Sequence, residues 1–178
     1  MFAYAALSPE ELSNTKFLPD NATSLTLFLN KNPTVTDYFT GKTVNYRIAF
    51  AGQYSVPVLY TPQETIRLIN VDFLPWGAYS IFGMEQSALH NVTSDATVLF
   101  PELKALVPDL EAHLDDDEYC VRILENFLLS ELQKRTKYAD ERVIAACKEI
   151  TESKGNLQIK GLCKKKGMSH SRVTNYFS

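Results

Sequence analysis

Apolar and polar residues alternate through the first half of the chain. In residues 23–30, Leu25, Leu27 and Leu29 recur at every second position, which is the period of a strand with one buried face. Residues 43–50, 55–60 and 64–75 are also rich in β-forming side chains, and turn-prone stretches such as 51–54 separate them. This half therefore predicts about five short strands, arranged as a small, mostly antiparallel β-barrel or sheet.

After residue 75 the apolar period changes to that of helices. Residues 76–83 predict a short helix closed by Gly83, and residues 101–114 predict a helix with Pro101 in its first turn and a kink or break at Pro108. The fold class predicted from both halves is α+β.

The strongest helical pattern covers residues 115–135. Its apolar stripe has the spacing i, i+4, i+7, i+8, i+12 and consists of Cys120, Leu124, Phe127, Leu128 and Leu132. The acidic run 115–117 suits a helix N-terminus, where carboxylates accept free amide protons. It lacks the ligand spacing of a calcium loop. A further helix is predicted over 139–155, with Val143, Cys147 and Ile150 as its stripe.

The polar stretch 134–140 predicts a linker. The predicted domains are therefore residues 1–136, a sensing or dimerisation domain, and residues 137–178, a partial DNA-binding domain.

The end of the chain fits a helix-turn-helix. The turn is expected at Gly167, since glycine readily takes a positive φ, and the second helix is expected to start near Ser169. The residues predicted to face inward are Ile159, Leu162, Cys163, Val173 and Phe177. Ser169 is expected to cap the second helix, whose exposed face would carry His170, Ser171, Thr174 and Asn175 into the major groove, and Lys164, Lys165, Lys166 and Arg172 are expected to reach phosphates. These nine residues are the predicted DNA-binding residues. Short two-helix units also occur as plain packing elements.

Basic and acidic residues are unevenly distributed along the 178-residue chain. Residues 134–178 contain eleven Lys or Arg and four Asp or Glu, a net of +7, whereas residues 1–133 contain seven and seventeen, a net of −10. A basic tail on an acidic body is typical of a phosphate-binding appendage. The alternative is a lysine-rich helical face exposed to solvent.

Residues 159–177, preceded by the helix near 142–156, resemble the start of the DNA-binding domain of AraC/XylS-type transcriptional regulators. That family has a small residue in the second helix, here Cys163, followed by Gly-Met-Ser and a helix ending in Phe. The body resembles an N-terminal sensor-like domain of one branch of these regulators, through Leu-Pro-Asp at 18–20, Gly-Gln at 52–53, Val71–Ala78 and Arg122–Leu132.

The resemblance covers roughly residues 17–178, and this sequence departs from it in three ways. The family has two helix-turn-helix units, and this chain ends after the first, so it is expected to be truncated. The branch has more residues before Leu-Pro-Asp. Asn175 stands where the family often has Arg, so adenine pairing is retained while the cationic contact is lost.

The sequence gives little evidence for a catalytic or metal-binding site. His90, His113 and His170 have no second His or Cys at ligand spacing, so no metal or cofactor is expected. Asp20 and Asp72 flank strands and suggest either an acid/base pair in a cleft or, as we favour, ordinary turn and strand-end residues. We therefore expect no enzymatic activity. Three cysteines without a CxxC pair are typical of reduced thiols in a cytoplasmic protein.

Aromatic residues are concentrated in the predicted strand region. They suit either an ordinary core or a cavity for a small apolar or aromatic effector. The residues predicted to bind such a ligand are Trp76, at a strand-to-helix junction, with Tyr46, Tyr60 and Phe73.

The function predicted is that of an AraC-type transcriptional regulator. Its N-terminal domain would control sequence-specific binding to double-stranded DNA, and a homodimer without membrane contact is expected. The alternative is a small-molecule-binding or oligomerisation module that no longer binds DNA.

Overall fold

The computed structural model describes residues 2–12, 16–18, 22–30, 33–37, 41–61, 64–84, 86–134, 140–154 and 156–169. The strands are β1 (Phe2–Leu7), β2 (Lys16–Phe17), β3 (Thr23–Phe28), β4 (Thr34–Asp37), β5 (Thr43–Val44), β6 (Ile48–Ala51), β7 (Val58–Thr61), β8 (Ile66–Phe73) and β9 (Thr93–Asp95). The helices are α1 (Pro9–Leu12), α2 (Gly77–Phe82), α3 (Ala96–Leu99), α4 (Pro101–Ala112), α5 (Asp117–Gln133), α6 (Glu141–Glu152) and α7 (Ile159–Lys166). A single 3-10 turn, Gln86–Leu89, precedes β9 in this part of the chain.

The strands form two antiparallel sheets. The five-stranded sheet has the order β1-β8-β3-β6-β9, and the four-stranded sheet has the order β2-β7-β4-β5. The α+β class and the antiparallel pairing are thus confirmed. The sheets are not closed into a barrel, because the strand pairings found in the described ranges leave β1 and β9 as the edges of the larger sheet.

One face of the five-stranded sheet packs against helices and forms the main core. Leu25, Leu27 and Leu29 are all buried there, as their alternation predicts, and Leu25 is paired with Val71 of the neighbouring strand. Rings from the sheet and from the helices meet above this face: the ring centroids of Phe50 and Phe82 are 5.5 Å apart. The alternate positions of the same strands face the four-stranded sheet.

The helices follow the sequence pattern with one correction. Pro101 begins α4 as expected. Of the kink or break predicted at Pro108, the break is wrong: α4 continues to Ala112, with Pro108 on its exposed side. An exposed proline removes a hydrogen bond whose carbonyl partner water can satisfy.

The acidic run before α5 acts as predicted. Asp116 accepts a hydrogen bond from the amide of Tyr119 at 2.9 Å and so caps the helix. Its neighbours Asp115 and Asp117 form ion pairs with Arg67 of β8, at 3.0 and 3.3 Å. The run therefore both caps α5 and ties it to the five-stranded sheet.

Several strands could not be predicted from local sequence patterns. The predicted strand 43–50 is divided, because β5 pairs within the four-stranded sheet and β6 within the five-stranded sheet. β1 was not predicted, although it pairs with β8 over six positions from Phe2↔Val71 to Leu7↔Ile66. Both features depend on partners distant in sequence.

Two helices of the tail pack on each other. The cluster between them contains Val143, Ala146 and Cys147 from α6, Leu162 and Cys163 from α7, and Met168. Ile159, predicted to face inward, is 41% exposed, because the cluster does not extend to the first turn of α7. The predicted linker residues 135–139 and the predicted second helix, with Val173 and Phe177, lie outside the described residues.

Candidate functional site

The basic end of α7 is the first candidate site. Lys164, Lys165 and Lys166 form its last turn, where cations suit the helix dipole. Gly167 then takes a φ of +61°, and the Met168 amide bonds to the carbonyl oxygen of Cys163 at 3.0 Å. α7 thus ends directly after the lysine run, at the glycine where the sequence predicts the turn.

Two of these lysines are paired within the tail itself. Lys165 Nζ lies 2.9 Å from Oε1 of Glu149 on α6, and Lys166 Nζ lies 3.1 Å from Oε2. Hydrogen bonds from Lys165 and Lys166 hold the pKa of Glu149 below its ordinary value. Lys164 is exposed, and no ion pair is found for it in the described ranges. It is therefore the most available cation of the run.

The predicted DNA-binding residues of the second helix are described only in part. Ser169 is exposed just after the turn. His170, Ser171, Arg172, Thr174 and Asn175 lie outside the described residues. Their role in reading bases stays a prediction.

A second candidate site is a cavity of about 300 Å³ between the two sheets. The five-stranded sheet lines it with the face opposite the main core. Its lining residues are Ala3, Ala5, Leu7, Phe17, Leu18, Ala22, Ser24, Thr26, Phe28, Val35, Ala49, Ala51, Gly52, Tyr54, Val58, Tyr60, Leu68, Asn70, Asp72 and Thr93.

One end of this cavity is polar and hydrogen-bonded. Thr26 Oγ1 donates to Asn70 Oδ1 at 2.7 Å, and Asn70 Nδ2 donates to Asp72 Oδ1 at 2.6 Å. The hydroxyls of Tyr54 and Thr93 are 2.6 Å apart. The chain of donors therefore ends on the Asp72 carboxylate.

The other end is apolar and aromatic. The Phe17 and Tyr60 rings meet edge to face with centroids 4.7 Å apart, and the centroid of Phe28 lies 6.5 Å from that of Tyr60. Phe28 is paired with Leu68, whereas Ser24 is paired with Asp72. These two pairs are four residues apart along each strand, so the two ends are separated by roughly 13 Å.

The four residues predicted to bind a ligand do not converge. Tyr60 lines the cavity. Tyr46 packs beside the small cluster of Leu12, Phe28, Ala49 and Ile66, and Phe73 packs against the main core. Tyr46, Phe73 and Trp76 are not among the residues that line this cavity, and their ligand role stays a prediction.

Trp76 instead packs against the tail. It is half-buried and contacts the cluster formed by α6 and α7. Lys148 Nζ of α6 lies 6.0 Å from the centroid of its ring, at the outer limit of a cation–π contact. This tryptophan therefore joins the body to the predicted DNA-binding segment.

The polar cavity residues were largely missed, although the sequence carries a signal for them. Ser24 and Thr26 alternate with Leu25 and Leu27, and Asn70 and Asp72 alternate with Ile69 and Val71. Such alternation fits a solvent-facing strand surface as well as a covered one. Asp20, the suggested partner of Asp72, lies outside the described residues.

Other site types find no support where the structure describes the chain. In the described ranges no three His, Cys, Asp or Glu residues converge as a metal site would require. None of the helices described there combines the length and apolar character needed to cross a membrane.

Comparisons with known proteins give weak structural similarity. No family model matches this chain, and no curated protein does. It is similar to a crystal structure of the AraC-like transcriptional activator CuxR, at 12% identity and a TM-score of 0.38, covering 99% of this chain and 66% of that one. It is also similar to ToxT from Vibrio cholerae O395, at 13% identity and a TM-score of 0.30, covering 99% and 88%.

Proposed function

We propose that this chain is an AraC-type transcriptional regulator that binds double-stranded DNA through its C-terminal segment. The observation that carries the proposal is the end of α7: three consecutive lysines, a left-handed glycine directly after them, and a packed pair of helices behind. The packed pair and the turn fit a helix-turn-helix, in which one helix is packed while the next enters the major groove, and the lysines fit contacts to phosphates.

The lysines would contact phosphates rather than bases. Such contacts fix the register of the protein on the duplex and supply most of its non-specific affinity. Base recognition would fall to Ser171, Thr174 and Asn175. His170 would lie on the same exposed helix face, Ser169 would cap the helix, and Arg172 would contact the DNA backbone. The body, residues 1–136, would bind an effector and pair two chains in the cytoplasm. Two tails on one duplex would gain affinity because the second contact is intramolecular.

The test compares two charge reversals in the full chain. Lys164→Glu should weaken binding to a fluorescently labelled random duplex at low salt by about tenfold, since it replaces a phosphate contact with repulsion. Lys104→Glu makes the same charge change at an exposed position of α4, and should weaken binding far less. Equal losses, or no binding by the unaltered chain, would favour a module that does not recognise DNA.

A further inference from the structure

The two ends of the cavity between the sheets differ in chemical character. Asp72 is the one charged residue among its described lining residues. The hydrogen-bonded chain from Thr26 through Asn70 runs toward this carboxylate. The formal negative charge of the described lining therefore lies at that end of the cavity, and the hydrogen bond from Asn70 holds the carboxylate in place.

The remaining walls suit an apolar body. Phe17, Phe28, Tyr60 and Leu68 line the opposite end. Small alanines at positions 3, 5, 49 and 51 line the cavity, and alanine side chains leave room between the sheets. The volume of about 300 Å³ is at the lower end of the range for small-molecule sites.

We propose that this cavity binds a small amine, with its ammonium group on Asp72 and its apolar or aromatic body between the sheets near Tyr60. A charged donor fits a carboxylate, whereas a carboxylate ligand would be repelled. Aromatic rings at the other end contact the ligand body through their faces and edges. The biological role of this site rests on the effector-controlled regulator proposed above, but the binding itself does not depend on DNA.

Three matched probes test the polarity on the full chain by isothermal titration calorimetry. They are 2-phenylethylamine, its neutral counterpart 2-phenylethanol, and the anion 3-phenylpropanoate. The amine should bind about tenfold more tightly than the alcohol, as a charge-assisted hydrogen bond would provide, and the anion most weakly. An alcohol or anion that binds as well as the amine would overturn the proposal, as would the failure of all three at millimolar concentration.

Substitution then assigns the preference to one side chain. Asp72→Asn keeps an oxygen for Asn70 to donate to, and should reduce the affinity for the amine to that for the alcohol, while alcohol binding changes by less than about twofold. Glu118→Gln removes a charge at an exposed position of α5 and should leave the preference intact. A preference that persists in Asp72→Asn contradicts the assignment. Because the probe comparison uses the unaltered chain, it stands even if Asp72→Asn does not fold.

DNA titrations separate this proposal from the previous one. Amine selectivity without DNA binding would support the cavity and overturn the regulator. DNA binding without amine selectivity would do the reverse.

Discussion

Gly52 lies where the backbone of β6 leaves the five-stranded sheet and passes the 3-10 turn. A Cβ atom added there would meet the carbonyl oxygen of Leu89 at 1.9 Å, and the Gly52 amide donates to the carbonyl oxygen of Val92 at 3.0 Å. A side chain would therefore push apart two segments that are also hydrogen-bonded.

Substituting this glycine should destabilise the fold. Gly52→Ala is expected to lower the free energy of unfolding by about 1–3 kcal/mol, the range for overpacking against atoms that cannot move freely. Gly161→Ala is the matched control, because a Cβ atom at this helical position meets nothing within 4 Å and alanine favours helix by up to about 1 kcal/mol. Thermal melts should show opposite shifts; a neutral Gly52→Ala would contradict the close approach.

Also at the scale of single residues, the Glu149 carboxylate partly neutralises the positive charge of the α7 lysines. Its carboxylate pairs with Lys165 and Lys166, so each of these cations must give up a partner before it contacts a phosphate. A single acidic side chain on α6 thus limits the basic character of the tail.

The pairing predicts a pH dependence of stability. The folded pKa of Glu149 lies below its ordinary value of 4.5 because of its two lysine partners, so its stabilising contribution is present above about pH 4.5. That contribution is lost as the pH falls through the folded pKa. Glu149→Gln should therefore have a lower melting temperature than the unaltered chain at pH 7, and the difference should shrink as the pH falls below 4.5 and through the folded pKa. Glu152→Gln, at an exposed position of the same helix, is the matched control for the loss of a carboxylate. A difference for Glu149→Gln that stays constant with pH would contradict the ion pairs.

Among the secondary-structure elements, the junction between β8 and α2 has the clearest consequence. Trp76 follows β8 and packs against the α6–α7 cluster, so the one tryptophan of the chain links sheet and tail. A change in the β8 strand, which also lines the cavity, has a direct physical route to the helices that carry the lysines.

Removing this ring should loosen the tail without unfolding the body. In Trp76→Ala, amide hydrogens of α6 and α7 should exchange faster with deuterium, because the cluster loses apolar cover, while β3 and β8 keep their protection. Leu74→Ala, at a neighbouring residue that is 61% exposed, should leave both regions unchanged. Equal exchange of α6 and α7 in Trp76→Ala and the unaltered chain would show that Trp76 does not hold the tail.

Elements whose partners are local were predictable from sequence, whereas those defined by distant partners were not. The alternation of Leu25, Leu27 and Leu29 and the left-handed turn at Gly167 depend on nearby residues, and both are found as predicted. β1 depends on pairing with β8, which lies 59 to 69 residues away along the chain. The cavity could not be predicted in this way. It depends on the second sheet facing the side of β8 that carries Asp72, and no local pattern in the sequence indicates that packing.

For the molecule as a whole, charge is the property that bears most on function. Residues 1–133 have a net charge of −10 and residues 134–178 a net of +7. An acidic body disfavours DNA contact everywhere except near the tail, so electrostatic attraction would orient the protein as it approaches a duplex. The two lysines paired with Glu149 reduce that attraction, and the resulting affinity should be weak and governed by salt.

The central claim, DNA binding through a basic tail, is tested most directly by fluorescence anisotropy of the full chain with a random duplex at about 50 mM and about 150 mM salt. If three or so phosphates are neutralised, affinity should fall by tenfold or more between the two conditions, since each contact releases counterions. Charge reversal of Lys164, Lys165 and Lys166 together should abolish binding at the lower salt. Absence of binding at about 50 mM salt, or binding that neither salt nor charge reversal weakens, would contradict the account.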